Sequence, residues 1–316
     1  MSENEGSSAA GRRGFLKVAG LGATAAAAGA VLPAAPAAAQ AVAWKQPGNN
    51  NHVLALQEAA SYPEGPVKID YFGHCAIRIT SPAGFTMLFD PWRNDPSGYW
   101  GIWFPKDFPR ITVDAVFSTH AHFDHDAIDK VNATMALDRL IGTYSFADVK
   151  ITAIADKHAY LAPGWYKWTD VIREFGQDPA PPNNPGHMDM VLYLVETGGV
   201  RTLIWGDARH DPPENVWNAI GRVDVLTLPV DGSQHILSYE QGNGIVDRLK
   251  PKAVIPTHYL CHPTTITLST LQTADEWVKG QKSYKQLDTP TLELSAAELG
   301  GMDREFLYFG DQVVNG

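Results

Sequence analysis

The stretch STHAHFDHD, from Ser118 to Asp126, contains three histidines and two aspartates within nine positions. It fits the spacing H-x-H-x-D-H, whose polar members are His120, His122, Asp124 and His125. Imidazole and carboxylate groups are ligands that zinc, iron and manganese accept in proteins. A β-rich run directly precedes the stretch, so we expect a loop at a strand end that turns these side chains inward. The spacing therefore predicts a metal site.

One loop with four ligands cannot fill two metal sites, so further ligands must come from other strand ends. Three residues follow predicted strands: His158 after Val149–Ala155, Asp207 after Arg201–Trp205, and His258 after Ala253–Ile255. Ligands in layered α/β proteins gather where strands end on a common rim. An aspartate at a strand end is often a turn residue, but here the accompanying histidines favour a ligand.

This combination resembles the metallo-β-lactamase fold superfamily from about Val67 to Tyr259. The resemblance implies an α+β protein folded as a four-layer αββα sandwich with two divalent metal ions. It further implies that His120, His122 and a third histidine bind the first metal. Asp124, His125 and His258 would then bind the second metal, and Asp207 would bridge the two. Zinc is the expected metal, with manganese or iron as alternatives.

The third histidine of the first site has two candidates. His158 ends a predicted strand, which resembles branches of the superfamily with a long insertion afterwards. His187 lies in Pro185-Gly186-His187, which resembles the P-G-H motif of other branches and precedes Asp207 by twenty residues. We favour His158 and keep His187 as the alternative.

Three further residues are candidate partners of the ligands or of the substrate: His74, Asp90 and His235. We place His74 and Asp90 at opposite ends of the early strands, from which either could orient a ligating imidazole. The segments around them, Gly73-His74 and Phe89-Asp90-Pro91, resemble the branch that contains L-ascorbate-6-phosphate lactonase. His235 follows the predicted strand Val223–Pro229.

The N-terminus differs from the rest of the chain. Arg12-Arg13-Gly14-Phe15-Leu16-Lys17 precedes an alanine- and glycine-rich run and a small-residue site before Gln40. This resembles a twin-arginine export signal, and its apolar run is shorter than the ~20 residues that a membrane span needs. We therefore expect residues 1–39 to be a signal peptide read by the Tat machinery, and a periplasmic or secreted mature protein without a stable membrane span.

The remaining chain divides into a linker with a short helix over residues 40–66 and a hydrolase domain over residues 67–316. Within the domain we expect the early strands Val67–Phe72, Ala76–Thr80 and Thr86–Phe89 and a helix over Tyr239–Leu249. A further helix is expected to begin at Asp126, and the linker helix lies around Val53–Ala60. Cys75 and Cys261 are the only cysteines and are expected to be buried thiols.

The full chain has a formal net charge of −10, which argues against nucleic acid as the main partner. Two metals sharing a water would lower its pKa and present hydroxide to an ester, lactone or phosphoester bond of a small molecule. In that mechanism Asp124 and Asp207 are the candidate catalytic carboxylates. The alternative is a non-catalytic metal-binding protein that retained the metal cage.

Overall fold

The computed structural model describes residues 53–55, 64–159, 190–266 and 269–314, all within one compact unit. The strands in these ranges are β1 (Val53–Ala55), β2 (Val67–Tyr71), β3 (Ile77–Thr80), β4 (Thr86–Phe89), β5 (Thr112–Ser118), β6 (Asn132–Asp138), β7 (Gly142–Phe146), β8 (Val149–Asp156), β9 (Met190–Thr197), β10 (Val200–Ile204), β11 (Val225–Pro229), β12 (Ala253–Thr257), β13 (Tyr284–Gln286), β14 (Thr291–Leu294) and β15 (Glu305–Tyr308). The helices are a 3-10 turn (Ala127–Lys130), α1 (Glu214–Ile220), α2 (Tyr239–Leu249), α3 (Asp275–Lys279) and α4 (Ala296–Gly300).

The strands form two mixed sheets. The larger sheet has the order β1-β7-β8-β9-β10-β11-β12-β15-β13, and the smaller has the order β14-β2-β3-β4-β5-β6. Strands β9 and β10 form a hairpin, paired antiparallel from Val200 opposite Thr197. Its turn contains Gly198 and Gly199, both with positive φ (57° and 74°), as a tight hairpin turn requires.

The main core lies between the two sheets. In β4, Met87 and Phe89 belong to the core shared with the larger sheet, whereas Leu88 belongs to a second cluster on the opposite face. That second cluster includes Trp92 and Phe104 from the segment after β4. Successive side chains along a strand point to opposite faces of the sheet, so the buried strand β4 contributes to the hydrophobic clusters on both faces.

Helix α2 covers part of the larger sheet. Its N-terminus is a capping box, in which Ser238 Oγ accepts a hydrogen bond from Gln241 N and Gln241 Oε1 accepts one from Ser238 N. At Gly242 a Cβ atom would lie 3.6 Å from Leu228 Cδ2, so the helix packs closely on β11. The predicted bounds of this helix are confirmed. The predicted α+β class with its αββα sandwich is also confirmed.

Strand direction brings many strand ends to one edge. In the larger sheet β8 and β10 both run antiparallel to β9, while β10, β11 and β12 run parallel. In the smaller sheet β2 and β4 both run antiparallel to β3, and β4 runs parallel to β5. The C-terminal ends of β2, β4, β5, β8, β10, β11 and β12 therefore supply the loops that can form one site.

Two predicted helices are wrong in the described residues. After Asp126 the chain makes only a 3-10 turn, and Asp126 forms no side-chain cap before the edge strand β6 begins at Asn132. The β6 sequence alternates between exposed and half-buried positions, which is a strand period. Val53–Ala55 is a strand because it pairs with β7, and residues 56–63 lie outside the described residues.

In the part of the chain that the structure describes, no helix combines the length and the hydropathy that a membrane crossing would need.

Candidate metal centre

The H-x-H-x-D-H loop leaves the end of β5 and is held by one buried carboxylate. Asp90 Oδ1 accepts a hydrogen bond from Thr119 N at 2.7 Å, and Asp90 Oδ2 accepts one from Thr119 Oγ1 at 2.8 Å. His125 Nδ1 also lies 2.9 Å from Asp90 Oδ2. A carboxylate can only accept, so Nδ1 carries a proton and Nε2 is the ring nitrogen that remains for a metal.

His120, His122 and His158 form the outer group. Their ligand-capable nitrogens lie within 4.8 Å of one another, and His122 is solvent-exposed. His158 follows β8 and makes an isolated bridge to Ala208, which brings it beside the loop from β5. His158 Nδ1 donates to the carbonyl oxygen of Ala159, which leaves Nε2 available for a metal.

The inner group is fully buried. It consists of His74, Asp124, His125 and His258, whose ligand-capable atoms also lie within 4.8 Å of one another. His74 Nε2 lies 2.9 Å from Asp124 Oδ2, and His258 Nε2 lies 3.5 Å from the same oxygen. The inner group therefore contains its own carboxylate, unlike the outer group.

Asp207 lies between the two groups. Its Oδ2 atom is 3.1 Å from His258 Nε2 and 3.4 Å from His125 Nε2 on the inner side. On the outer side it is 3.6 Å from His158 Nε2 and 3.9 Å from His120 Nε2. One carboxylate oxygen thus faces imidazoles of both groups.

The residue before this carboxylate must be glycine. Gly206 has φ 56°, and a Cβ atom there would lie 2.4 Å from Met190 Cε and 2.7 Å from Thr119 Oγ1. A side chain at this position would require Met190 and Thr119 to shift, and the positive φ also favours glycine. This close approach allows the strand end of β10 to place Asp207 against the loop from β5.

Positive φ angles also occur at three residues of the site. They are His74 (57°), Asp90 (51°) and His258 (59°), each directly beyond or shortly after a strand. Left-handed backbone is unfavourable for residues with a Cβ atom and concentrates at functional sites. In each case the chain turns sharply at the strand end, which directs the side chain toward the centre.

Charge is balanced within this buried cluster. Burial by itself would raise the pKa of Asp207, but the imidazoles of His258 and His125 hold that pKa well below its usual range. For His258, burial opposes protonation, yet the carboxylates of Asp207 and Asp124 raise its pKa to about 10. Burial would likewise raise the pKa of Asp124, but His125, His258 and His74 hold it well below its usual range. Asp207 and Asp124 therefore stay ionised, and they favour positive charge between them.

The donor set fits divalent metal ions. Among the described residues, His125 Nε2, His158 Nε2 and Asp207 Oδ1 are buried and have no hydrogen-bond partner. Buried polar atoms are normally satisfied, so such unused lone pairs facing one centre indicate a ligand. Imidazole nitrogens with carboxylate oxygens suit zinc, iron or manganese.

The residues predicted around the ligands also lie here. His74 contacts Asp124 and Asp90 contacts His125, so both lie at the same edge and the prediction of opposite ends is wrong. The reason is that β2 and β4 run in the same direction on either side of β3. The His235 ring stacks on that of His258 with centroids 5.7 Å apart. The alternative ligand His187 lies outside the described residues.

Two neighbours of the cage were not among the predicted site residues. Thr119 hydrogen-bonds to Asp90, as described, and its Oγ1 lies 3.0 Å from His120 Nδ1. Its position directly before the first histidine of the motif was the available signal. Cys75 lies beside His125 and Asp207, and its position directly after His74 was the corresponding signal.

Aromatic residues form one side of the site. Trp103 packs edge-on against Phe123, a residue of the metal loop, with ring centroids 5.1 Å apart. It also lies 6.4 Å, centroid to centroid, from His235. The next residue back, Ile102, is 60% exposed. Part of the segment between β4 and β5 thus presents apolar surface close to the cage.

Comparison with known proteins identifies the family. Residues 68–258 match the family model described as "Beta-lactamase superfamily domain". A UPF0173 metal-dependent hydrolase of Myxococcus xanthus is 26% identical over 221 residues, which cover 67% of this chain and 77% of the relative. A UPF0173 metal-dependent hydrolase of Thermus thermophilus is 27% identical over 211 residues, covering 62% and 85%.

A solved structure shows the same fold. It is a protein of the metallo-β-lactamase superfamily from Thermotoga maritima, with 23% sequence identity and a TM-score of 0.53. The alignment covers 77% of this chain and 98% of that protein. The chain therefore belongs to the β-lactamase superfamily and has the metallo-β-lactamase fold.

Proposed function

We propose that the protein is an exported dinuclear metallohydrolase that cleaves an ester, lactone or phosphoester bond of a small molecule. The observation that carries this proposal is the position of Asp207, whose Oδ2 atom lies within 3.9 Å of imidazole nitrogens from both the outer and the inner group. A shared carboxylate between two donor groups suits a pair of metal ions. A single closed structural site would use four ligands and no bridge.

The ligands divide as the two groups divide. His120, His122 and His158 would hold the first metal, and Asp124, His125 and His258 would hold the second, with Asp207 between them. We propose zinc, with manganese or iron as alternatives. When bound, such a metal pair supplies an activated water at neutral pH and polarises the bond to be cleaved.

Residues of the chain would accept the proton of the attacking water and orient the group that accepts it. Asp124 is the proposed acceptor of the proton from the attacking water, because the neighbouring imidazoles hold its pKa well below the usual range. Its Oδ2 atom faces His125 and His258, as Asp207 Oδ2 does. His74 Nε2, 2.9 Å from Asp124 Oδ2, would orient that carboxylate. We propose that His235, whose ring stacks on that of His258, contacts the leaving group or the substrate.

The surroundings support a small substrate with an apolar part. The half-buried Phe123 of the metal loop and the exposed Ile102, next to the buried Trp103, provide apolar surface. The net charge of −10 disfavours a polyanion such as nucleic acid. A lactone or acyl ester meets both conditions, which agrees with the resemblance to the L-ascorbate-6-phosphate lactonase branch.

Export is a separate part of the proposal. The twin arginines Arg12 and Arg13 with the apolar run after them support recognition by the Tat machinery. The mature protein would then be periplasmic or secreted, with its metals acquired before transport. Replacing both arginines by lysine should leave the protein in the cytoplasm. Unchanged export of that variant would contradict the assignment.

The test of the hydrolase proposal combines metal content with turnover. The full chain is purified without added metal, analysed for elements, and assayed on matched aryl esters, lactones and phosphodiesters before and after chelation. About two metals per chain and chelator-sensitive hydrolysis are expected. One tightly held metal without turnover on any substrate would instead support the non-catalytic metal-binding protein.

A further inference from the structure

Cys75 lies at the base of the metal centre, in the turn between β2 and β3. The residue is 4% exposed. Its sulfur, one nitrogen of His125 and one carboxylate oxygen of Asp207 all lie within 4.8 Å of one another. This spacing is compatible with three ligands around one metal ion.

The two neighbours of this sulfur have unused donor atoms. Among the described residues, His125 Nε2 and Asp207 Oδ1 have no hydrogen-bond partner, although the two residues are 0% and 2% exposed. The other ring nitrogen of His125 is engaged by Asp90 at 2.9 Å. The thiol therefore lies beside two residues that each carry an atom available to bind a cation.

The protonation of the thiol depends on that cation. Burial raises the pKa of the Cys75 thiol, and the carboxylates of Asp207 and Asp90 raise it further. A metal ion that binds a thiol deprotonates it.

We propose that Cys75 Sγ is a ligand of the metal ion held by His125 and Asp207, so that the inner site contains a sulfur donor. The inference rests on the proposed function, because it assumes the metal pair. As the sulfur–metal bond forms, the thiol proton leaves to solvent. Soft thiolate ligands favour zinc over manganese or magnesium, so this ligand also supports the choice of zinc.

The first test needs no variant. X-ray absorption at the zinc edge of the zinc-loaded full chain should show sulfur in the first coordination shell at about 2.3 Å, beside nitrogen and oxygen at about 2.0–2.2 Å. A first shell with nitrogen and oxygen alone would overturn the proposal. Since the native chain is measured, a folding defect cannot produce either result.

Variants then identify which cysteine supplies the sulfur. The full chain and its Cys75→Ala and Cys261→Ser variants are loaded with cobalt, and the near-ultraviolet thiolate-to-cobalt charge-transfer band is recorded. Cys261 is the matched control because it is equally buried and lies outside the three ligand groups. The band should persist in Cys261→Ser and vanish in Cys75→Ala. A band that survives in a folded Cys75→Ala chain contradicts the assignment.

Zinc affinity gives a second readout. Competition with a chelator should show that Cys75→Ala weakens binding of one zinc by at least about tenfold, the lower end of the loss caused by removing a partner of a metal ligand. Hydrolysis and two bound metals without zinc–sulfur scattering would leave the proposed function standing and remove this inference. A chain that binds no metal would remove both.

Discussion

The outer and inner groups differ in burial and in charge, although they share Asp207. The outer group has only imidazoles and includes the exposed His122. The inner group is buried throughout, and Asp124 lies within it. A charged ligand in a water-poor site attracts a cation more strongly than neutral imidazoles near solvent do. We therefore expect the inner metal to bind more tightly and the outer metal to exchange faster.

The largest effect should follow loss of the shared carboxylate. Asp207→Ala removes the anion that both groups face, so we expect metal content well below one per chain and no detectable hydrolysis. In the metal-free chain His258 would lose the nearer of its two buried counter-ions and keep Asp124, at a cost of about 1–3 kcal/mol of stability. Elemental analysis, activity assays and thermal unfolding measure these effects, with Asp207→Asn as the control of equal size. Full activity in Asp207→Ala would exclude a bridging role.

Single-histidine variants should separate the two groups. His158→Ala should lose the outer metal and keep the inner one, whereas His258→Ala should lose mainly the inner metal. Each variant should retain about one metal per chain and lose most of its activity. Elemental analysis with timed chelator extraction distinguishes them. If His158→Ala keeps both metals and His187→Ala loses one, the third histidine of the outer group is His187.

A smaller effect on metal binding is expected when Asp90, the carboxylate that positions His125, is replaced. Asp90→Asn keeps the shape of the side chain and weakens its contacts with Thr119 and His125. Affinity for the inner metal should fall by about 10- to 100-fold, while the outer metal should be less affected. Metal titration of the stripped chain measures both affinities. Equal weakening of both sites would mean that Asp90 supports the loop as a whole.

The smallest effect on metal content should come from Gly206→Ala, which crowds the backbone beside Asp207. In Gly206→Ala the new Cβ atom would meet Met190 and Thr119, so the strand end must shift. We expect a loss of stability of about 1–3 kcal/mol and a partial loss of both metals, since Asp207 moves with it. Gly244→Ala is the control, because its Cβ would meet nothing within 4 Å. If Gly206→Ala unfolds at the same temperature as the unchanged chain, the Cβ atom at this position does not crowd its neighbours.

Local sequence patterns were sufficient to predict the bounds of some strands and helices. β4 and α2 have their predicted bounds, because turn residues and a capping box define them within a few positions. β6 was missed because it is an edge strand with half-buried residues, so its apolar signal is weak. The helix expected around Val53 failed because pairing with β7, more than eighty residues away, decides that segment.

The sequence by itself determined which residues can bind a metal and that they lie at the ends of strands. H-x-H-x-D-H, Trp-Gly-Asp and Pro-Thr-His each follow a β-rich run, and that is a local property. Only the tertiary structure decided that Asp207 faces both groups, that His74 and Asp90 share one edge, and that Cys75 lies against His125. These outcomes depend on strand direction and on the packing of two sheets, which join residues that are far apart in the chain.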